Sequence, residues 1–258
     1  MIKAKKQFGQ NFLKDPSVLR MIIEAMPKNE NQVIEIGPGL GDLTQEIVKY
    51  KDVRAYEVDR DLFSILKVKF FKELSEKKLE IILTDVLEVW NDNGTLYSDR
   101  KYDLIANLPY YIATNIILNA FDDEMCEHII VMVQKEVGDK FIATPGEKEY
   151  SALGVIANIL CERRSQIVVV PPESFDPAPK VDSSVIYLKK DMDKSIDKEF
   201  KNFLKVAFSQ PRKKLIKNLS SRYDKNSLNT LFETLEIDSN LRPHEVAASL
   251  YSQIYQSL

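Results

Sequence analysis

Three of the eight glycines in this 258-residue chain stand at alternate positions, Gly37, Gly39 and Gly41, directly after the apolar run Val33-Ile34-Glu35-Ile36. Glycine accepts positive φ and lets main chain approach a bound molecule with no Cβ between them. A strand that ends in such a turn is therefore a place where a ligand meets backbone. Glu57 closes the next apolar run twenty positions after Gly37, where a carboxylate can accept both hydroxyls of a ribose. Asp85 follows a third run, Leu79 to Thr84, and a fourth ends in Asn107-Leu108-Pro109-Tyr110-Tyr111. The spacing G-x-G-x-G differs from the dinucleotide fingerprint G-x-G-x-x-G. Taken with two carboxylates, it predicts a nucleoside-bearing ligand with the Asn107 amide and an aromatic ring beside it.

Only a parallel sheet brings these residues to one edge. Strand-like runs alternate with helical patterns from residue 33 to about 190: the three above, then Tyr102 to Ala106, His128 to Val133, Gln166 to Val170 and Ser184 to Leu188. That alternation is the pattern of an α/β fold, in which ligands bind at the carboxyl ends of the strands. Leu40 to Lys49 reads as the helix behind the glycine turn. The last two runs are joined only by Pro171 to Ser183. Such a loop is too short for a helical crossover, so they should pair antiparallel as the last hairpin of a seven-stranded sheet. Ahead of the sheet, Asp15 can cap a helix with Pro16 at its first position. After the polar stretch 191–195, helical spacing takes over with Phe200, Phe203, Leu204, Leu215, Leu219, Leu228 and Phe232. The expected organisation is an α/β domain over residues 1–190 and a small C-terminal all-helical domain over 191–258.

Hydrophobic residues make up 44% of the chain and charged residues 29%, as in soluble globular proteins. No run approaches membrane-spanning length and the first residues lack a signal-peptide core, so a cytoplasmic protein without membrane contact is expected. Cys126 and Cys161 have no C-x-x-C partner, and His128 and His244 are the two histidines; neither a disulfide nor a metal site is expected. The net charge of −3 is unevenly spread. Lys3, Lys5, Lys6, Lys14 and Arg20 face only Asp15 in the first twenty residues, while Arg212, Lys213, Lys214, Lys217 and Arg222 stand in 209–222 with no acid. Clusters of this kind predict a surface for phosphates, with solvated helix faces as the alternative.

The order and spacing of these segments resemble the class I S-adenosylmethionine-dependent methyltransferases that modify exocyclic amino groups, and among them the small-subunit ribosomal RNA adenine N6,N6-dimethyltransferases. The resemblance runs over almost the whole chain. It is carried by Phe8-Gly9-Gln10-Asn11-Phe12-Leu13, Glu35-Ile36-Gly37-Pro38-Gly39-Leu40-Gly41, Glu57-Val58-Asp59, Asp85, Asn107-Leu108-Pro109-Tyr110, Gln134-Lys135-Glu136-Val137, the segment from Phe175 to Ser183 and the segment from Phe208 to Leu219. It implies a Rossmann-like sheet and S-adenosyl-L-methionine as cofactor. The implied reaction is dimethylation of two adjacent adenosines in a hairpin loop near the 3′ end of 16S ribosomal RNA, on an immature small ribosomal subunit, by a monomer without metal.

Residue by residue, the resemblance implies that Asn11 and Leu13 close over the cofactor, Gly37 faces its methionine part, Glu57 holds the ribose and Asp85 accepts the adenine amino group. Asn107 would stand between cofactor and target. An adenine amino nitrogen is a poor nucleophile because its lone pair is delocalised into the ring. If the Asn107 side-chain oxygen and the Leu108 carbonyl accept its two N–H groups, the lone pair is directed at the methyl carbon and no strong base is needed. Tyr110 and Phe175 are the expected walls for an unstacked base, with Phe175 in a loop between Pro172 and Pro177. Arg212, Lys213, Lys214 and Lys217 would contact RNA in the helical domain. Pro211 departs from the family pattern, which leads us to expect a basic residue there, and reads as a local helix start. The competing readings are a large-subunit (23S) ribosomal RNA dimethyltransferase of the antibiotic-resistance type, a DNA adenine methyltransferase, and a non-catalytic methyltransferase-like RNA-binding factor. The Phe8 to Asn11 opening, Gln134 to Val137 and Arg242-Pro243-His244-Glu245 favour the small-subunit enzyme.

Overall fold

Gln32–Ile36 is buried at every position, as a strand must be when helices cover both faces of a parallel sheet. The computed structural model describes residue 5 and residues 10–258. Phe8, Gly9, Lys3 and Lys6 lie outside the described residues.

In chain order the elements are β1 (Phe12–Leu13), α1 (Pro16–Glu24), β2 (Gln32–Ile36), α2 (Asp42–Ile47), β3 (Val53–Glu57), α3 (Arg60–Lys69), α4 (Phe71–Ser75), β4 (Leu79–Leu83), α5 (Val86–Asn93), β5 (Tyr102–Asn107), α6 (Ala113–Asp122), β6 (Cys126–Gln134), α7 (Lys135–Ile142), α8 (Ala152–Leu160), β7 (Cys161–Val170), β8 (Phe175–Asp176), β9 (Ser183–Lys190), α9 (Lys198–Ala207), α10 (Leu215–Leu219), α11 (Lys225–Thr234) and α12 (Ala248–Gln256). Seven strands form one sheet in the order β4-β3-β2-β5-β6-β9-β7. Pairs β2/β3, β3/β4, β2/β5 and β5/β6 are parallel, and β9 runs antiparallel to β6, between it and β7. This is the seven-stranded α/β sheet that the alternating runs predict, with the last two strands together at one edge.

Several helices begin where a side chain takes one of their free N–H groups. Asp15, Asp59 and Asp85 each accept the N–H two residues on, from Ser17, Asp61 and Leu87, and such caps contribute about 1 kcal/mol each. Helix α2 is shorter than the pattern at 40–49 suggests. Its cap is Gly41, left-handed at φ 77°, so Leu40 remains in the turn.

The chain divides into two compact units, one of residues 1–138 and 163–192, the other of 139–162 and 193–258. One break between the units falls between Met192 and Asp193, within the polar stretch 191–195. Residues 139–162, however, belong with the later helices, which a boundary at 190 alone does not anticipate. The apolar α8 supplies the reason: Val155, Ala157 and Leu160 are buried and α8 packs on α9 and α12 within the second unit. Tyr150 meets Phe208 edge-on there, and the Tyr251 hydroxyl donates to the Pro243 carbonyl at 2.7 Å. The first unit has its own core, formed by Val33, Val53, Ala55, Leu79, Ile105, Ile130 and Met132 from the sheet against Val18, Ile22, Leu43, Ile47 and Leu66.

Candidate active site

The carboxyl ends of β2, β3, β4 and β5 open into one cleft, lined among others by Asn11, Leu13, Gly37, Glu57, Asp85, Asn107, Leu108 and Tyr110. The structure thus gathers residues spread over a hundred positions of sequence, as the topology requires. The glycine turn is the first wall. Gly37, Gly39 and Gly41 have φ of 66°, 62° and 77°, the left-handed region in which other residues are strained. At Gly41 a Cβ would also fall 2.5 Å from the Phe70 ring, so α3 can pack close behind the turn only because that position carries no side chain.

Glu57 is buried, and its carboxylate is oriented by main chain: Oε1 accepts the N–H of Val58 (2.9 Å) and Asp59 (2.8 Å), and Oε2 that of Gly39 at 3.3 Å. Burial raises its pKa and these backbone donors offset part of the rise. Asp85 uses Oδ1 to cap α5 through the Leu87 N–H at 2.9 Å and lines the cleft. Asn107 donates from Nδ2 to the Asn11 carbonyl at 3.0 Å. A carbonyl is an acceptor only, so this contact sets the amide orientation and leaves Oδ1 to accept from a ligand. Asn11 itself is carried by a two-residue ladder in which Phe12 pairs with Asp176 and Leu13 with Phe175; the Lys14 N–H bonds the Ser174 carbonyl at 2.8 Å.

Two side chains that line the cleft, Glu35 and Tyr111, and two next to its lining, Thr44 and Asp59, were given no role by the sequence reading. Glu35, 1% exposed, accepts the Thr44 hydroxyl at 2.6 Å, and burial pushes its pKa up to about 8. The signal was a lone carboxylate in the apolar run of β2. Asp59 caps α3 and accepts Lys5 Nζ at 2.7 Å and Gln10 Nε2 at 3.0 Å. Burial works to raise its pKa, but those two hydrogen bonds hold it below the ordinary value. The remaining two are Thr44 and Tyr111.

Phe175 requires correction. It does not line the cleft; it is 5% exposed and packs in the core, because its pairing with Leu13 turns the ring inward. Tyr110 does line the cleft, half-buried, with its hydroxyl 2.6 Å from that of Ser183. The basic clusters also differ from expectation. Lys5 is paired with Asp59 and Asp61, and Lys14 with Asp42, each at 2.7 Å, so these two are neutralised within the fold. In the second unit, Arg212, Lys213, Lys214 and Lys217 are all exposed. Pro211 lies in a turn, and the helix starts only at Leu215; the local helix start expected at the proline is not formed, because Asn218 Nδ2 binds the Ala207 and Gln210 carbonyls and folds the segment into a loop.

The cleft fits a cofactor that is cationic at sulfur and carries a nucleoside: four acidic side chains, Glu35, Asp42, Glu57 and Asp85, and the glycine turn line it, and among the described residues it holds no lysine or arginine. Among the described residues, no three His, Cys, Asp or Glu side chains are grouped to hold a metal ion, and no helix is long and apolar enough to cross a membrane.

Comparison with known proteins gives a consistent picture. The family model described as ribosomal RNA adenine dimethylase matches residues 1–258. The ribosomal RNA small subunit methyltransferase A of Aliarcobacter butzleri is 60% identical over 254 residues, 98% of this chain and 96% of the relative. That of Campylobacter jejuni (strain RM1221) is 50% identical over 261 residues, 100% and 96% of the two chains. Among solved structures, a dimethyladenosine transferase from Plasmodium falciparum superposes with a TM-score of 0.79 at 23% identity over 95% of this chain and 98% of its own. The 23S rRNA methyltransferase ErmE superposes with a TM-score of 0.72 at 20% identity over 96% and 99%. These two likenesses show the Rossmann-like methyltransferase fold.

Proposed function

The chain belongs to the ribosomal RNA adenine dimethylase family, and from that premise we propose that its cleft binds S-adenosyl-L-methionine and presents adenines of small-subunit ribosomal RNA for double methylation at N6. The observation that carries this reading is the orientation of Asn107. Its Nδ2 is committed to the Asn11 carbonyl, so the acceptor atom Oδ1 is available at the carboxyl end of β5.

When bound, the cofactor supplies an electrophilic methyl group on a sulfonium. Asn107 Oδ1 and the Leu108 carbonyl accept the two N–H groups of the target amine, directing its lone pair at that methyl and stabilising the positive charge that develops on nitrogen. Glu57 takes the ribose hydroxyls, Gly37 the methionine part, Asp85 the adenine amino group, and Asn11 and Leu13 close the site. Tyr110 provides the aromatic face for the target base. No residue needs to act as a strong base, since the product ammonium loses its proton to water.

The substrate is an RNA held over a broad surface. Arg212, Lys213, Lys214 and Lys217 contact phosphates from the helical unit, and the acceptor is two adjacent adenosines in a loop near the 3′ end of 16S RNA within an immature subunit, met by a monomer of the enzyme. The high identity to small-subunit enzymes supports this reading over the large-subunit one. Mass spectrometry of nuclease digests tests it: small subunits lacking the modification should yield N6,N6-dimethyladenosine at adjacent loop positions. Product found only in large-subunit RNA would contradict the proposal.

A further inference from the structure

Tyr111 is an aromatic residue at the cleft that the sequence motifs leave without a role, and it is more exposed than Phe12, Tyr56 or Tyr110, which also line it. It lines the cleft yet is 61% exposed, far more than Tyr110, whose hydroxyl is engaged by Ser183. The turn that carries it is closed by the Ile112 N–H bonding to the Pro109 carbonyl at 3.2 Å. Asp85 lines the same cleft, and partial burial and the Asp85 carboxylate together raise the phenol pKa. Val58, itself 44% exposed, and Val86 and Leu87 line the same cleft. An exposed ring and an exposed valine beside one carboxylate leave apolar area in water, which a flat heterocycle with an amino edge would cover.

We propose that Tyr111 is a cofactor-contacting residue whose ring covers the adenine end of the cleft beside Asp85, against the apolar lining of Val58, Val86 and Leu87. The inference rests on the role given above to Asp85 and adds a residue to it. The division between the two adjacent tyrosines then has a physical basis. Tyr110, tied to Ser183, serves the acceptor side, and Tyr111, within the electrostatic reach of Asp85, serves the donor. Stacking an adenine on an aromatic side chain is a sequence-independent contact that alanine substitution removes, so the contribution should be the same for every ligand that carries the adenosine group.

Calorimetry with S-adenosylhomocysteine and with 5′-methylthioadenosine, which lacks the amino-acid portion, tests the inference on Y111A, Y111F, E57A and D85A. Y111A should weaken both ligands by the same factor, on the order of tenfold, Y111F should stay within about twofold, and RNA affinity of the cofactor-free protein should not change. If E57A and D85A weaken the nucleosides but Y111A does not, or if Y111A lowers RNA affinity alone, Tyr111 has no part in holding the adenosine and the inference fails while the cleft assignment stands. If none of the four variants alters nucleoside affinity, the assignment of the cleft fails as well.

Discussion

The two ends of the same sheet treat buried polar groups in opposite ways. At the amino ends of the strands most such groups are answered within the fold, the side-chain oxygen of Gln32 being an exception. Asp103, fully buried at the start of β5, accepts from Asn31 Nδ2 at 3.0 Å and from Asn29 Nδ2 and Lys51 Nζ at 3.4 Å. Asn31 also reaches Glu127 at 2.9 Å, and His128 Nδ1 lies 2.9 Å from the Tyr187 hydroxyl. Asp123 accepts the Trp90 indole (2.9 Å), the Tyr102 hydroxyl (2.6 Å) and two backbone N–H groups, of Leu96 (3.1 Å) and Met125 (2.9 Å). At the carboxyl ends, Glu35 has one hydrogen bond, Asp85 spends one oxygen on a cap, and Asn107 spends its donor and keeps its acceptor. Polar groups that close on each other hold the sheet together; polar groups left with capacity toward a cleft are for a ligand. Both ends contain carboxylates and amides, so residue type alone does not distinguish them.

The comparison breaks most visibly if the amino end proves dispensable. Asp103→Ala leaves Lys51, itself nearly buried, without its carboxylate partner, and the unpaired charge should cost about 3–5 kcal/mol of stability in denaturant unfolding. Cofactor affinity measured well below the transition should not change. Glu57→Ala should tip the balance the other way: at least about a tenfold loss of S-adenosylhomocysteine affinity, given that hydrogen bonds to a charged group contribute about 1.5–3 kcal/mol each, with a smaller loss of stability than Asp103→Ala, from the backbone N–H groups of Gly39, Val58 and Asp59 that lose their acceptor.

Glu35 sharpens the contrast through pH. Its folded pKa of about 8 lies above the ordinary 4.5, so the folded chain keeps a proton that the unfolded chain releases. Stability from this group is full below the unfolded value and is lost as pH rises toward the folded one, at roughly 1.4 kcal/mol per pH unit. Cofactor-free Glu35→Gln, which keeps an oxygen for Thr44, should show a flatter decline in thermal stability between those limits; an unchanged pH profile would mean that Glu35 is ionised in the fold. The smallest effect concerns the helical unit. Replacing Lys213 and Lys214 by alanine should reduce the log–log salt slope of RNA binding by roughly one unit per lost phosphate contact, and an unchanged slope would make them solvated side chains only.

The sheet was legible because its strands are continuous apolar runs between helical patterns, and the glycine turn because three positive-φ positions in five residues leave little but glycine to fill them. The cleft residues Glu57, Asp85 and Asn107 were legible as polar residues at strand ends. Phe175 was not, since nothing in a proline-flanked loop tells whether its aromatic ring faces a pocket or the core; the pairing with Leu13 decides that, across more than 160 positions. The assignment of 139–162 to the helical unit was hidden for the same reason. An apolar helix such as α8 records that it must be covered, and says nothing of which distant helices cover it. Tyr111 sat in the open, read as half of a tyrosine pair whose members the fold then separates.

Cofactor affinity and methyl transfer measured on the same preparation of Asn107→Ala, with saturating unmodified small subunits, test most directly the claim that the carboxyl end of the sheet orients the acceptor amine. The account predicts S-adenosylhomocysteine binding within a small factor of the parent and a loss of transfer of about a hundredfold or more, as when an electrostatic acceptor is removed from a transition state. Near-normal turnover of the variant would contradict it.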